Sequence, residues 1–143
     1  MKSSKTLALA LVACSFVSIQ NVYANSEQVL QYENQRGSTM MLILHQDKQE
    51  NTGTITGTFT SAVGDCKPDV GVPLPVNGFY NNNAITITVN FPHCQQVVAM
   101  TGNIINNQNQ LHTLWLDAKP VTDPQGADWN SNIIGSDFYH KIN

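Results

Sequence analysis

The chain has 143 residues, of which 41% are hydrophobic and only 12% charged, with a formal net charge of −3. No Lys/Arg cluster interrupts this acidic balance, which argues against nucleic acid or an anionic membrane as a partner. The abundance of Thr, Asn and Gln fits an all-β exported domain better than a helical one.

Residues 1–24 read as a secretory signal peptide. Lys2 and Lys5 form a positive start, residues 7–19 are mostly apolar, and Val22-Tyr23-Ala24 places small residues at the usual cleavage positions. The apolar run is too short for a spanning helix and has no stop-transfer flank. The competing reading takes Leu11-Val12-Ala13-Cys14 as a lipobox with lipid on Cys14, which requires an unusually short leader. Cleavage after Ala24 leaves residues 25–143, enough for one domain with a real core. Five basic residues then face ten acidic ones, a net charge of −5. The expected location is secreted or periplasmic. Cys66 and Cys94 remain after cleavage, and two cysteines in an exported chain read as one disulfide. Neither CxxC nor HxxxH occurs, so no zinc site is indicated.

From residue 29 onward, short alternating segments are separated by turn signals. Strands are predicted at 29–34, 38–46, 55–64, 74–80, 84–91, 97–105, 110–118 and 133–142. Gln35-Arg36-Gly37, the polar run 47–53, Asn81-Asn82-Asn83 and an Asn/Gln stretch at 106–109 supply tight connections. A Pro/Gly-rich loop at 65–73 and a second loop with Pro120 and Pro124 are longer, the latter with one helical turn near 125–130. No connection has room for a crossover helix, so consecutive strands are antiparallel neighbours. Eight strands can close into an up-and-down barrel with space for one small ligand. A β-sandwich is the structural alternative, although long Greek-key returns are absent.

The segment 55–64 is the most pointed. Ile55, Gly57, Phe59, Ser61 and Val63 share one face of an extended strand. If that face is inward, the Ser61 hydroxyl needs a partner. A backbone carbonyl and a bound polar ligand are both open as that partner.

Four motifs in chain order resemble the avidin–streptavidin family of biotin-binding proteins. Tyr32-Glu-Asn-Gln-Arg-Gly-Ser-Thr39 is similar to its Trp-x-Asn-x-x-Gly-Ser-Thr hairpin, and 55–64 to its Thr-Gly-Thr-Tyr-x-Ser-Ala-Val-Gly. Thr113-Leu-Trp-Leu116 resembles Thr-x-Trp-Leu, and Trp129 through Ile134-Gly-Ser-Asp137 resembles Trp…Val-Gly-x-Asp. The resemblance covers nearly all of residues 25–143 and implies an eight-stranded, non-enzymatic barrel with biotin as ligand and no cofactor. It implies that Asn34 and Ser38 donate to the ureido oxygen, while Ser61 and Asp137 accept from the ureido N–H groups. It makes Trp115 a cage wall, Val63 part of the binding loop, and Asp65 and Gln96 neighbours of the carboxylate. The positions of Cys66 and Cys94 resemble those of rhizavidin-like short avidins, dimers in which a disulfide braces the binding loop. A bridge of that span would constrain the unfolded chain by about 3–4 kcal/mol.

Read without the resemblance, Asn34 and Ser38 could equally bond to turn backbone, and Trp115 could be plain core. Several positions also depart from the family pattern. Phe59 stands where a Tyr donates to the ureido oxygen, Phe91 and Met100 replace cage tryptophans, and Val98 replaces a Thr beside the thioether sulfur. A donor missing from a buried oxygen costs about 1–3 kcal/mol. The expected biotin affinity is therefore several orders weaker than streptavidin's. Trp129 matches a residue that caps the neighbour's biotin in tetrameric members, whereas rhizavidin-like dimers lack it; a homo-oligomer, dimer or tetramer, is expected. The competing binding class is a lipocalin-like barrel for a more apolar ligand or a biotin analogue. An exported enzyme is the competing catalytic class, but His45, His93, His112 and His140 lie in no recognisable nucleophile or metal motif.

Overall fold

The computed structural model describes residues 27–48, 51–65, 67–122 and 131–142. Its strands are β1 (Glu27–Asn34), β2 (Thr39–Gln46), β3 (Thr52–Thr60), β4 (Pro73–Asn81), β5 (Ala84–Phe91), β6 (Gln96–Ile105), β7 (Gln110–Ala118) and β8 (Asn132–Lys141). Each pairs antiparallel with the next, and β8 pairs with β1, so the sheet is a closed barrel. Short 3-10 helices occur at Lys67–Asp69 and Pro92–Cys94. The expected leader, Cys66, the helical turn near 125–130 and Trp129 lie outside the described residues.

The turns explain the strand limits. The β4–β5 connection reverses at Asn82, with φ of 54°, and the β6–β7 connection runs through Asn106, Asn107 and Gln108, all with positive φ. Asn tolerates the left-handed region better than most side chains because its amide bonds locally. These two turns set the starts of β5 and β7, whose limits coincide with the predicted ones. The segment 55–64 differs from expectation: its strand starts at Thr52 and stops at Thr60. Gly57 has φ of 152°, and a Cβ there would lie 1.9 Å from the Met41 carbonyl oxygen, so the strand approaches β2 more closely than any larger residue allows.

Alternation sends one row of each strand into the lumen. Leu30, Tyr32, Leu42, Ile55, Val76, Ile87, Val89 and Leu111 are almost wholly buried and fill one half of it. Burying a side chain of this class contributes about 1.5–3 kcal/mol. Tyr32 carries its hydroxyl to that end, where it donates to the Gln108 carbonyl at 3.0 Å. Burial pushes the Tyr32 pKa up to about 12. In the other half of the lumen the inward row changes character: Asn34, Ser38, Thr113 and Asp137 are buried there. The fold therefore separates an apolar plug from a polar chamber.

Candidate functional site

The chamber encloses 480 Å³ and opens at the end of the barrel formed by the β3–β4 segment and the ends of β5 to β8. Asn34, Ser38, Phe59, Ser61, Val63, Asp65, Phe91, Gln96, Val98, Met100, Trp115 and Asp137 all border it. These are all the expected ligand-lining positions that fall within the described chain. Arg36, Gly64, Asp69, Val70, Asp117, Lys119 and Ile133 border it as well, and sequence reasoning did not name them.

Local hydrogen bonds fix what each polar group can still offer. Asn34 ends β1, and its Oδ1 accepts from the backbone N–H groups of Arg36 and Ser38, both at 2.9 Å. The oxygen is thus committed, and the amide nitrogen of Asn34 remains as the donor. Ser38 Oγ accepts from the Ala62 N–H at 3.0 Å, leaving its hydroxyl hydrogen to donate. Ser61 does the reverse: its hydroxyl donates to the Val63 carbonyl, so only its lone pairs remain. Both readings of Ser61 are compatible here, since a carbonyl takes its hydrogen and the oxygen still borders the chamber. That bond also turns the chain just past β3, leaving Val63 and Asp65 on the exposed rim.

Asp137 is the buried acceptor. Gln35 Nε2 donates to its Oδ1 at 2.9 Å, and Arg36 Nη2 lies 3.6 Å from the same oxygen. Gln35 Oε1 in turn accepts from the Phe138 N–H at 3.1 Å, so one amide ties the β1–β2 turn to β8. The pKa of Tyr139, beside Asn34 and Asp137, is raised mainly by burial and further by the Asp137 charge.

Apolar surfaces complete the walls. Phe59 and Phe91 meet edge to face, with ring centroids 6.2 Å apart and planes at 75°. Met100 is buried beside Trp115, its cross-strand partner. Trp115 lies flat over Gly135, where a Cβ would come within 2.2 Å of the indole. This explains the glycine of the Ile134-Gly-Ser-Asp137 motif: it is the floor on which the tryptophan rests.

At the rim, Asp69 is almost wholly buried and bonded by His93 Nδ1, with Cys94 Sγ 3.0 Å from its Oδ2. The two 3-10 helices are joined through this carboxylate. Asp117 is half-buried near the end of β7, and its pKa is raised by desolvation, opposed by the charge of Lys119.

Gly135→Ala is expected to push the Trp115 ring out of its place, destabilising the fold by about 1–3 kcal/mol. Chemical denaturation checks the stability, and a changed near-ultraviolet circular dichroism band for tryptophan checks the displacement. An unaltered band would show that the ring does not depend on this glycine.

Comparisons with known proteins agree with the geometry. Core-bradavidin, at 30% identity, superposes with a TM-score of 0.62 over 80% of this chain and 99% of that one. The bradavidin2–biotin complex, at 23% identity, gives 0.61 over 80% and 96%. A biotin complex of a shwanavidin variant, at 22% identity, gives 0.62 over 86% and 99%. The last two identities support the fold alone. Comparison with curated protein sequences yields no match. The Avidin family model matches residues 24–142, and the chain belongs to the avidin family.

Proposed function

We propose that this protein binds biotin in the chamber, with the ureido ring held between Asn34 and Ser38 on one side and Ser61 and Asp137 on the other. The observation that carries this reading is the preset polarity of those four groups. A cyclic urea offers one acceptor oxygen and two donor N–H groups. Asn34 and Ser38 have spent their acceptors on backbone, while Ser61 has spent its hydrogen and Asp137 only accepts. Two donors and two acceptors are left, matched to the urea and already held in place. Family membership supports the same ligand.

The affinity is weaker than streptavidin's. Phe59 supplies no hydroxyl to the ureido oxygen, and Val98 offers the thioether no hydrogen bond. The apolar wall of Phe59, Phe91, Val98 and Met100 favours, as a second reading, a biotin analogue with less polar surface on that side. The protein is exported, with residues 1–24 as its signal peptide. Cys66 and Cys94 form a bridge at the rim. Lys67 directly follows Cys66 and opens the 3-10 helix that Asp69 joins to the turn carrying Cys94.

The protein is a homo-oligomer through the outer face of β6 to β8. Leu114, Ile134 and Phe138 are 62%, 78% and 56% exposed, and Leu116 pairs directly with Ile134 across the sheet. A contiguous apolar surface of this kind marks an interface.

Titration calorimetry of the purified protein with biotin is expected to show saturable binding, and Asp137→Asn to weaken it by about ten- to a hundredfold. No heat and no thermal shift at high micromolar biotin would sink the biotin reading. Binding untouched by Asp137→Asn would place the ligand elsewhere. Under non-reducing conditions the intact protein should resist alkylation; two alkylated cysteines would remove the bridge. Light scattering should give a multimer that Ile134→Asp dissociates, and a monomeric wild type would exclude this interface.

A further inference from the structure

Trp115, Asp117 and Lys119 follow one another at two-residue spacing on the inward side of β7 and its extension, and all three border the chamber. Asp117 Oδ1 is buried and has no hydrogen-bond partner among the described residues. Its other oxygen faces Lys119 Nζ at 3.9 Å, close enough for charge attraction but too far for a hydrogen bond. The ureido site uses neither residue.

Their position follows from the strand register. Across β7 and β8, Thr113 pairs with Asp137, Trp115 with Gly135 and Asp117 with Ile133. From the level of Asp137 to Asp117 is four residues, about 13 Å along the strand. That is comparable to the length of a bicyclic ring bearing a five-carbon tail. A ligand whose ring sits at Asp137 and whose tail points to the open end therefore brings the tail to Asp117 and Lys119.

The charge around that point is unfavourable to an anion. Val98 on β6 and Ile133 on β8 flank Asp117 with apolar groups. The same chamber is bordered by Asp137 with Arg36, by Asp65, and by Asp69, to which His93 bonds. Of the two lining basic side chains, Arg36 faces Asp137 and Lys119 faces Asp117. Lys67 donates outside the lining, to the Gly64 carbonyl. Each lining cation among the described residues already has a carboxylate beside it.

Building on the biotin reading, we propose that the tail end of this chamber selects biotin joined through an amide over biotin as the free acid. The amide N–H donates to Asp117 Oδ1, which gains the partner it lacks. A free carboxylate at the same place meets like charge and leaves that oxygen unpaired. Acid relieves the conflict, because a protonated Asp117 donates to the ligand carboxylate. Binding the free acid raises the Asp117 pKa further, so the complex takes up a proton and its affinity rises as pH falls.

The test is calorimetry with biotin and with biotinamide, at neutral pH and at about pH 5.5, where the ligand carboxyl is still mostly ionised. In the wild type, biotinamide is expected to bind about tenfold tighter at neutral pH, one tenfold step being 1.4 kcal/mol. The gap should narrow at the lower pH. Asp117→Asn should tighten free biotin and flatten its pH dependence, and Lys119→Gln should weaken free biotin more than the amide. Thermal unfolding confirms that each variant is folded. Equal affinities for acid and amide in the wild type, or a ratio unmoved by both substitutions, overturns the proposal while biotin binding stands. Binding of neither compound overturns the biotin reading and this proposal with it.

Discussion

Closure of the barrel between β1 and β8 is the constraint on which the site depends. The seam is short: Tyr32, Glu33 and Asn34 pair with Lys141, His140 and Tyr139, and the ladder then stops. Gln35 continues it with a side chain, accepting from the Phe138 N–H and donating to Asp137. One amide therefore extends the closure and holds the carboxylate that borders the chamber. Asn34 and Asp137 are over a hundred positions apart in sequence and meet only because this seam closes. Weakening it would open the sheet edge and disperse the polar groups together.

The same closure divides the lumen. Every inward side chain competes for a fixed volume, and Leu30, Leu42, Ile55, Ile87 and Leu111 occupy the interior beyond the chamber without bordering it. The polar groups at the other end would be costly if they faced one another unsatisfied. Most are instead half satisfied by nearby backbone, with one capability each left toward the chamber. That arrangement lowers the ordering cost of binding, since the donors and acceptors are aligned before a ligand arrives.

Much of this was legible in the sequence, for particular reasons. Strands β5 and β7 were readable to the residue because an Asn-rich turn with left-handed backbone opens each and a proline follows soon after each ends. The 55–64 segment misled because alternation continues past Thr60, whereas the backbone turns where Ser61 bonds to Val63. Inward positions such as Phe59, Val98 and Trp115 were found by period and motif. Gln35 and Arg36 were missed because they lie in a turn, which carries no periodic signal, and their partner is distant in sequence. Asp117 was missed despite a usable signal. It is two residues beyond Trp115, so any reading that turned the tryptophan inward turned the carboxylate inward with it.

The departures from the family pattern then acquire a common direction. Phe59 keeps the bulk of a tyrosine and packs on Phe91, so the wall survives without the hydroxyl of the family pattern. Val98 keeps the bulk of a threonine without its hydroxyl. Both substitutions preserve volume and remove polarity from that wall of the chamber. Asp117 does the opposite, placing a buried, unpartnered oxygen near the open end of the chamber. Recognition in the proposed complex therefore rests less on the ring and more on the tail. A chamber so arranged discriminates by what the ligand is attached to, because a carboxylate with one buried, unpartnered oxygen separates a hydrogen-bond donor from an anion more sharply than an apolar wall separates similar rings.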